Sequence, residues 1–595
     1  MTFVRRTLVA SAAALTLLAG CASGPSAPKP STEPVTLRVI HFNDLHGNLE
    51  TTGLTLPHPN PDNPAQPLRV RTGGIAPLAG LVKALRESAP HSVVLSNGDN
   101  IGGTPIISAL FFHESTIDLM SRLGVDISSV GNHEFDAGYA ELLRVLDPAG
   151  RCREAQAGEI AVSCALGKHA GASFPSITAN VLKADGSPAF APSIVKTYGG
   201  IKVGFIGAVT RGTPNIVVPS GVAGLRFTDE ADAINAEAAR LQAQGVQALV
   251  AVIHEGGFVE GAQMEWNASD CPSRRGPIFD IEKRLAPAVD VVLTGHTHQG
   301  YRCVFNGRPV MQATALGRGL SVLDLVLDPA TGDVDRSKSF HRNLPVFNEH
   351  TDPAHRALIA SQEPAPYAAA LKSAVPDAAI AARLAEYSAK AKPLAERVVG
   401  RIGGAFETAA NRGNSSAGRL IADAQHAATR APDRGGARFA LMNPGGVRAA
   451  LPCRGTPPCN VTYGDVFTMQ PFGNSLVVMT LTGAEIKQVL EDQQRAGRTS
   501  PSFLLPSKSL SYRWMAQAPY GQRVQDLRID GQPVDPAAAI RFTVNSFMAD
   551  GGDGLSLLRQ GRERLGGELD IDALIAFLQT TPSPTPDDRV VVVSN

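Results

Sequence analysis

The feature that most restricts the fold is a recurrence: between Val35 and Asp328, short β-branched runs alternate with helix-patterned stretches, and most of the runs end in a polar cluster. The runs read VTLRVIHF, HSVVLS, ISSV, KVGFIGAV, ALVAVI and DVVLTG. Short runs that are apolar at nearly every position belong to strands buried on both faces, the pattern of a covered sheet. Between them, GGIAPLAGLVKALRE and DEADAINAEAARLQAQG carry apolar residues at helical spacing. Alternating strands and helices predict an α/β domain. At 595 residues the chain exceeds what one hydrophobic core supports, so at least one further domain is required.

Open α/β sheets gather their ligands beyond the carboxyl ends of strands. Here NDLHG follows RVIHF, NGDN follows VVLS, GNHEFD follows SSV, HEGG follows AVI and GHTH follows VVLT. Five strand ends therefore direct Asp44, His46, Asp99, Asn132, His133, His254, His296 and His298 toward one edge. Each residue alone is an ordinary turn former or cap. Together, without a cation, they would be desolvated and poorly paired, whereas divalent metals neutralise carboxylates and use imidazole lone pairs. The donors are too many for one four- or five-coordinate centre, and the two oxygens of Asp99 can bridge, so two ions are expected. Nitrogen and oxygen donors without thiolate suit Zn²⁺ or Mn²⁺ better than Ca²⁺ or Mg²⁺. Two such ions ~4 Å apart suit phosphate-ester hydrolysis by a metal-activated water, with charge stabilised at phosphorus.

The ordered set DxH, GD, GNHE, a lone His and GHxH resembles the signature of calcineurin-like metallophosphoesterases. The resemblance implies a four-layer α/β/β/α domain in which Asp44, His46, Asp99 and His298 hold one ion. Asp99, Asn132, His254 and His296 would hold the other. It further implies that His133 is not a ligand but stabilises the transition state, paired with Asp136; their i, i+3 spacing at a helix start places them on one face.

Residues 353–396 are rich in Ala and Lys and interrupted by prolines, which predicts one or two helices joining two lobes. The expected divisions are a catalytic domain at 35–345, a helical linker at 346–396 and a smaller α/β or α+β domain at 397–595. Within the last, ETAANRGNSSAGRLIADA, NPGGVRAAL, QPFGNSL and NSFMADGGDG resemble the C-terminal domain of bacterial and animal 5′-nucleotidases. By that resemblance Phe472 and Phe547 sandwich a nucleobase, which any base tolerates because each has a π-face. Asp553 would accept from ribose hydroxyls, Asn443 would contact the base, and Arg448 and Arg412 would grip phosphate. The spacing around Arg412 departs from the family pattern, leaving Arg419 as an alternative. The implied substrate is a nucleotide losing its 5′-phosphate, with nucleoside di- and triphosphates and UDP-sugars within reach. Within the family the alternative is a 2′,3′-cyclic-nucleotide phosphodiesterase/3′-nucleotidase; outside it, an inactive surface-tethered binding protein.

The N-terminus joins a basic VRR to TLVASAAALTLLAG, shorter than a membrane span, followed by Cys21. This resembles the lipobox of bacterial lipoproteins and implies a signal peptide over 1–20, lipid attachment at Cys21 and a tether over 21–34, with the protein facing the periplasm or cell surface. The six other cysteines fall into local pairs, predicting Cys152–Cys164, Cys271–Cys303 and Cys453–Cys459 disulfides in an oxidising compartment. Lys+Arg and Asp+Glu balance at 55 each, which argues against a general nucleic-acid binder, and the sequence calls for no obligatory protein partner. PHPNPDNPAQP at 57–67 reads as a surface loop inserted within the first domain.

Overall fold

The computed structural model describes residues 33–593 apart from 52, 64, 155–160, 263, 409–414, 495–501 and 588–590. The signal peptide, Cys21, most of the tether and Arg412 lie outside the described residues.

The first domain is built on two sheets. In one, the strand Val35–Phe42 pairs in parallel with Ser92–Ser96, which continues in parallel through Ile127–Ser129 to Ser176–Ile177. Its other edge pairs antiparallel with Gly319–Asp328. In the second sheet, Ala248–His254 lies between the parallel strands Ile201–Val209 and Val291–Thr294. Side chains alternate between faces of a strand, and the cores follow that period. Leu37, Val39, Val93 and Leu95 share one apolar layer with Val250, Val252 and Leu293 of the second sheet. Their neighbours Ile40, Phe42 and Val94 pack instead with the helices Ile75–Glu87 and Glu114–Leu123. Leu249, Ala251 and Ile253 pack with Glu230–Ala243 and Pro277–Arg284. The layers are thus α/β/β/α, as expected. Each fully buried aliphatic side chain contributes about 1.5–3 kcal/mol, so the layer between the sheets sets how the two sheets sit on one another.

The linker holds three helices, Pro353–Ser361, Ala365–Ser373 and Ala378–Ala395, where one or two were expected. Proline punctuation is the reason: Pro353 opens the first helix, Pro364 precedes the second, and Pro376 stands before the third, whose cap Asp377 accepts from the backbone N–H of Ala379 and Ile380. The third helix docks on the first domain through Tyr387, 5.1 Å from Phe111 between ring centroids, and through Arg383, which donates to Asp118 at 2.6 Å. The carbonyl of Val375 lies so close to Gly80 that no Cβ fits there. Gly80→Ala is therefore expected to destabilise the first domain by about 1–3 kcal/mol, read as a lower melting transition in calorimetry; an unchanged transition would show that the linker yields at this seat.

The insertion is less irregular than its prolines suggested. Thr55–His58 pairs antiparallel with Leu68–Arg71, so Pro57 and His58 belong to a hairpin strand rather than a loop. A two-stranded ribbon consists of edges, where proline is tolerated. In the second domain Ser475–Thr482 lies between Ala539–Asn545 and Arg562–Leu569, antiparallel to both, with the helix Ser416–Thr429 packed near Ala539–Asn545. Trp514, Phe439 and Phe542 anchor its own core. The three expected disulfides are formed. Among the described residues no helix is long and apolar enough to cross a membrane.

Candidate active site

Asp44 and His46 follow the strand Val35–Phe42, Asp99 follows Ser92–Ser96, and Asn132 and His133 follow Ile127–Ser129. His254 ends Ala248–His254, and His296 and His298 follow Val291–Thr294. The first three strand ends come from one sheet and the last two from the other.

The backbone is bent to present these side chains. Asp44, His46, Asp99, His296 and His298 have φ of 50°, 45°, 49°, 70° and 62°. Non-glycine residues seldom adopt such angles, which cost about 1–3 kcal/mol each and persist where the surroundings over-determine them. The surroundings here do so through hydrogen bonds. Asp44 N–H donates to Gly98 O at 3.1 Å and His46 N–H to Asp99 O at 2.9 Å. The Glu134 carboxylate accepts from the backbone N–H of Asp99, Asn100 and Gly131, each at 2.8 Å. Burial, together with the charge of Asp99, pushes Glu134 up to about 7. Sequence reasoning assigned Glu134 no role; its place in GNHE was the available signal.

Histidine tautomers are set from outside the cluster. His46 Nδ1 is 2.7 Å from Gly102 O and His254 Nδ1 is 2.6 Å from Asn97 O. A carbonyl only accepts, so each Nδ1 carries a hydrogen, and each Nε2 offers a lone pair when its ring is neutral, as it is toward a metal ion. His254 Nε2 then faces Asp99 Oδ2 at 3.0 Å and Asn132 Oδ1 at 3.2 Å, while His46 Nε2 is 3.2 Å from His298 Nε2. Acceptors turned on one another call for a cation between them. Asp44, His46 and His298 each bring one donor atom, all mutually within 4.8 Å, and so do Asp99, His254 and His296. These donors, buried except for the half-buried His296 and His298, fit a pair of divalent ions. The field at the site points the same way. Burial opposes a charge on His254, yet Asp99 and Asp44 lift its pKa to about 10; burial likewise opposes ionisation of Asp44, yet His298 and His254 hold it down at about 2.

His133 stands beside this set, within the same reach of His46 and Asp99. Its Nδ1 is 2.7 Å from Asp136 Oδ2, and its backbone N–H donates to Asp99 Oδ1 at 2.8 Å. Burial disfavours the imidazolium, but Asp136 and Asp99 outweigh it and raise the pKa.

The second domain reaches into the same site. The ring of Phe472 stacks on His133, with centroids 5.9 Å apart and planes 17° apart. The Arg448 guanidinium lies 5.9 Å from the Phe472 centroid and against Gly103, where a Cβ would come 3.0 Å from Nε. Among the described residues its side chain has no hydrogen-bond or ion-pair partner; burial lowers its pKa, partly offset by Asp136, Asp99 and Asp44. Asn443 donates to Asp553 Oδ2 at 2.8 Å and accepts from Asn545 Nδ2 at 3.0 Å. Phe547 lies two residues beyond Asn545 and packs against Gly552. Among the described residues no ring contact joins it to Phe472. Arg419, the alternative phosphate contact, is 1% exposed, with its Nε 3.6 Å from Asp587 Oδ1.

A two-sheet domain carrying paired metal-ligand clusters, with a second lobe delivering an arginine to them, defines a phosphoesterase architecture. The calcineurin-like phosphoesterase family matches residues 37–300, and the 5′-nucleotidase C-terminal domain family matches 398–560. The chain belongs to the 5′-nucleotidase family. It is 27% identical over 609 residues to a probable 5′-nucleotidase of Treponema pallidum, covering 91% of each. It is 29% identical over 560 residues to the endonuclease YhcR of Bacillus subtilis; 93% of this chain takes part, and it spans 40% of that relative's length. Among solved structures, the 5′-nucleotidase precursor of Thermus thermophilus superposes with a TM-score of 0.69 at 24% identity, over 94% of this chain and 99% of that one.

Proposed function

We propose that this protein is an exported phosphohydrolase, anchored by lipid at Cys21, that removes the 5′-phosphate from nucleotides. The observation that carries the reading is Arg448: a half-buried guanidinium with no hydrogen-bond or ion-pair partner among the described residues, brought by the second lobe to the His133–Asp136 pair. Such a cation is stable in a dry site when an anion arrives to meet it, and a planar fork matches phosphate. Asp44, His46, Asp99 and His298 would hold one divalent ion and Asp99, Asn132, His254 and His296 the other, Zn²⁺ or Mn²⁺ by donor type. When bound, the ions supply an activated water and charge neutralisation at phosphorus. The chain's own residues do the rest. His133, kept protonated by Asp136, donates toward a phosphoryl oxygen; Arg448 orients the phosphate; Phe472 and Phe547 hold the base, with Asn443 beside it; Asp553 accepts from the ribose. The formed disulfides support the oxidising compartment that export implies.

The test is phosphate release by metal-replete protein from AMP, 3′-AMP, 2′,3′-cyclic AMP, ATP, UDP-glucose and, given the relation to an endonuclease, a short oligonucleotide. AMP is expected to lead, and His133→Ala to lower its kcat by about 10²–10⁴-fold. Preference for 3′-AMP or cyclic AMP would transfer the assignment to the 3′-nucleotidase branch. No turnover by a chain that retains two ions would favour the binding protein. Cys21→Ser is expected to move the protein from the membrane to the soluble fraction, and retention in the membrane would remove the lipid anchor from the reading.

A further inference from the structure

The rings of His133, His46 and His298 follow one another at 4.9 and 5.0 Å between centroids, with Phe472 beyond His133. At the His298 end opens a cavity of about 640 Å³ that none of the expected nucleotide-binding residues lines. Its walls come from the Thr55–His58 hairpin, the segment around Trp266 and the first linker helix.

Two of its residues have properties that structure alone does not require. The Trp266 ring rests on Gly300 and Gly319, where an added Cβ would come 2.6 and 2.7 Å from ring carbons. Both glycines are needed to let an indole lie there, half-buried, as one wall of the cavity. Arg318, also half-buried, donates Nε–H to Ala315 O at 2.9 Å and one Nη to Thr55 O at 3.4 Å. Among the described residues no carboxylate pairs with it, and burial alone draws its pKa down to about 10. The other arginine of the wall, Arg342, is already satisfied by Glu363 at 2.7 Å. The cavity therefore presents one aromatic face and the Arg318 cation, which no carboxylate pairs among the described residues, beside a candidate metal ligand, with the exposed Glu265 also on its wall.

We propose that this cavity binds the second arm of an esterified nucleotide, a planar aromatic group bearing a negative charge, with the ring on Trp266 and the anion on Arg318. The proposal rests on the phosphohydrolase reading and extends it from monoesters to diesters. In the reaction, the oxygen of water bonds to phosphorus and the P–O bond to the second arm breaks. The arm leaves with the electron pair and takes a proton from the water, and the nucleoside monophosphate remains for the nucleotidase step.

The probes are AMP, AMP phenyl ester and AMP 4-carboxyphenyl ester, the last hydrolysed to AMP and 4-hydroxybenzoate. The intact protein is expected to favour the carboxyphenyl over the phenyl ester by about tenfold in kcat/KM, the contribution of one charge-assisted pair. Arg318→Gln is expected to bring that ratio within twofold of unity, and Trp266→Ala to lower both esters about tenfold, each with AMP turnover within twofold of the unaltered protein. AMP turnover reports folding in the same samples. Cleavage of AMP with neither ester cleaved, or with no preference between them, overturns the cavity assignment and leaves the nucleotidase reading standing. Equal loss of all three substrates in both variants also overturns it. Failure of the unaltered protein on AMP and on both esters brings down the nucleotidase reading itself.

Discussion

Asp99→Asn is expected to yield a folded protein that no longer retains two metal ions and loses at least about 10³-fold of its turnover of AMP. Asparagine is among the few non-glycine residues that accept positive φ readily, so the bend at 49° survives the change. What disappears is a negative charge that faces both clusters: Asp99 Oδ2 is 3.0 Å from His254 Nε2 and 3.7 Å from His46 Nε2. Metal analysis by mass spectrometry after dialysis should find fewer than two ions per chain. Two ions retained with full turnover would show that Asp99 does not hold the pair together.

Arg448→Ala separates the second lobe from the metals. Both ions should remain, while kcat/KM for AMP falls by about 10²–10³-fold, the scale of a desolvated guanidinium–phosphate contact. Lysine should restore part of this, since it keeps the charge and loses the fork. Stability is expected to change little, since the guanidinium is half-buried and the carboxylates of Asp136, Asp99 and Asp44 offset part of its desolvation. Loss of both stability and activity would mean that Arg448 braces the lobes and does not meet substrate.

The gathering of the candidate donors could be read from the sequence because each is written locally: a strand run followed within a few residues by its Asp, Asn or His. The disulfides were legible for the same reason, the pairs being 12, 32 and 6 residues apart. Contacts that span the chain were not. Arg419 meets Asp587 across 168 residues, and no pattern near position 419 marks it as engaged. The same holds for Phe472 on His133, which depends on how two lobes meet. Helix count in the linker failed for a different reason: proline both ends one helix and opens the next, so composition alone does not number the segments. The bends at Asp44, His46 and His298 were invisible too, since glycine, the usual marker of positive φ, is absent from those positions.

The division of the donors between two sheets has a consequence for the life of the molecule. His254, His296 and His298 belong to one sheet and Asp44, His46, Asp99 and Asn132 to the other, and a continuous apolar layer lies between the sheets. A slip of one residue in either sheet exchanges the faces of its side chains and carries half the donors out of reach of the rest. Ions captured by the correct arrangement would rivet the sheets from their edge, adding the free energy of binding to the native state alone. Reactivity in such a design would be its own inspection stamp: a misassembled copy would hold no ions and stay inert, and activity would begin when the two halves agree.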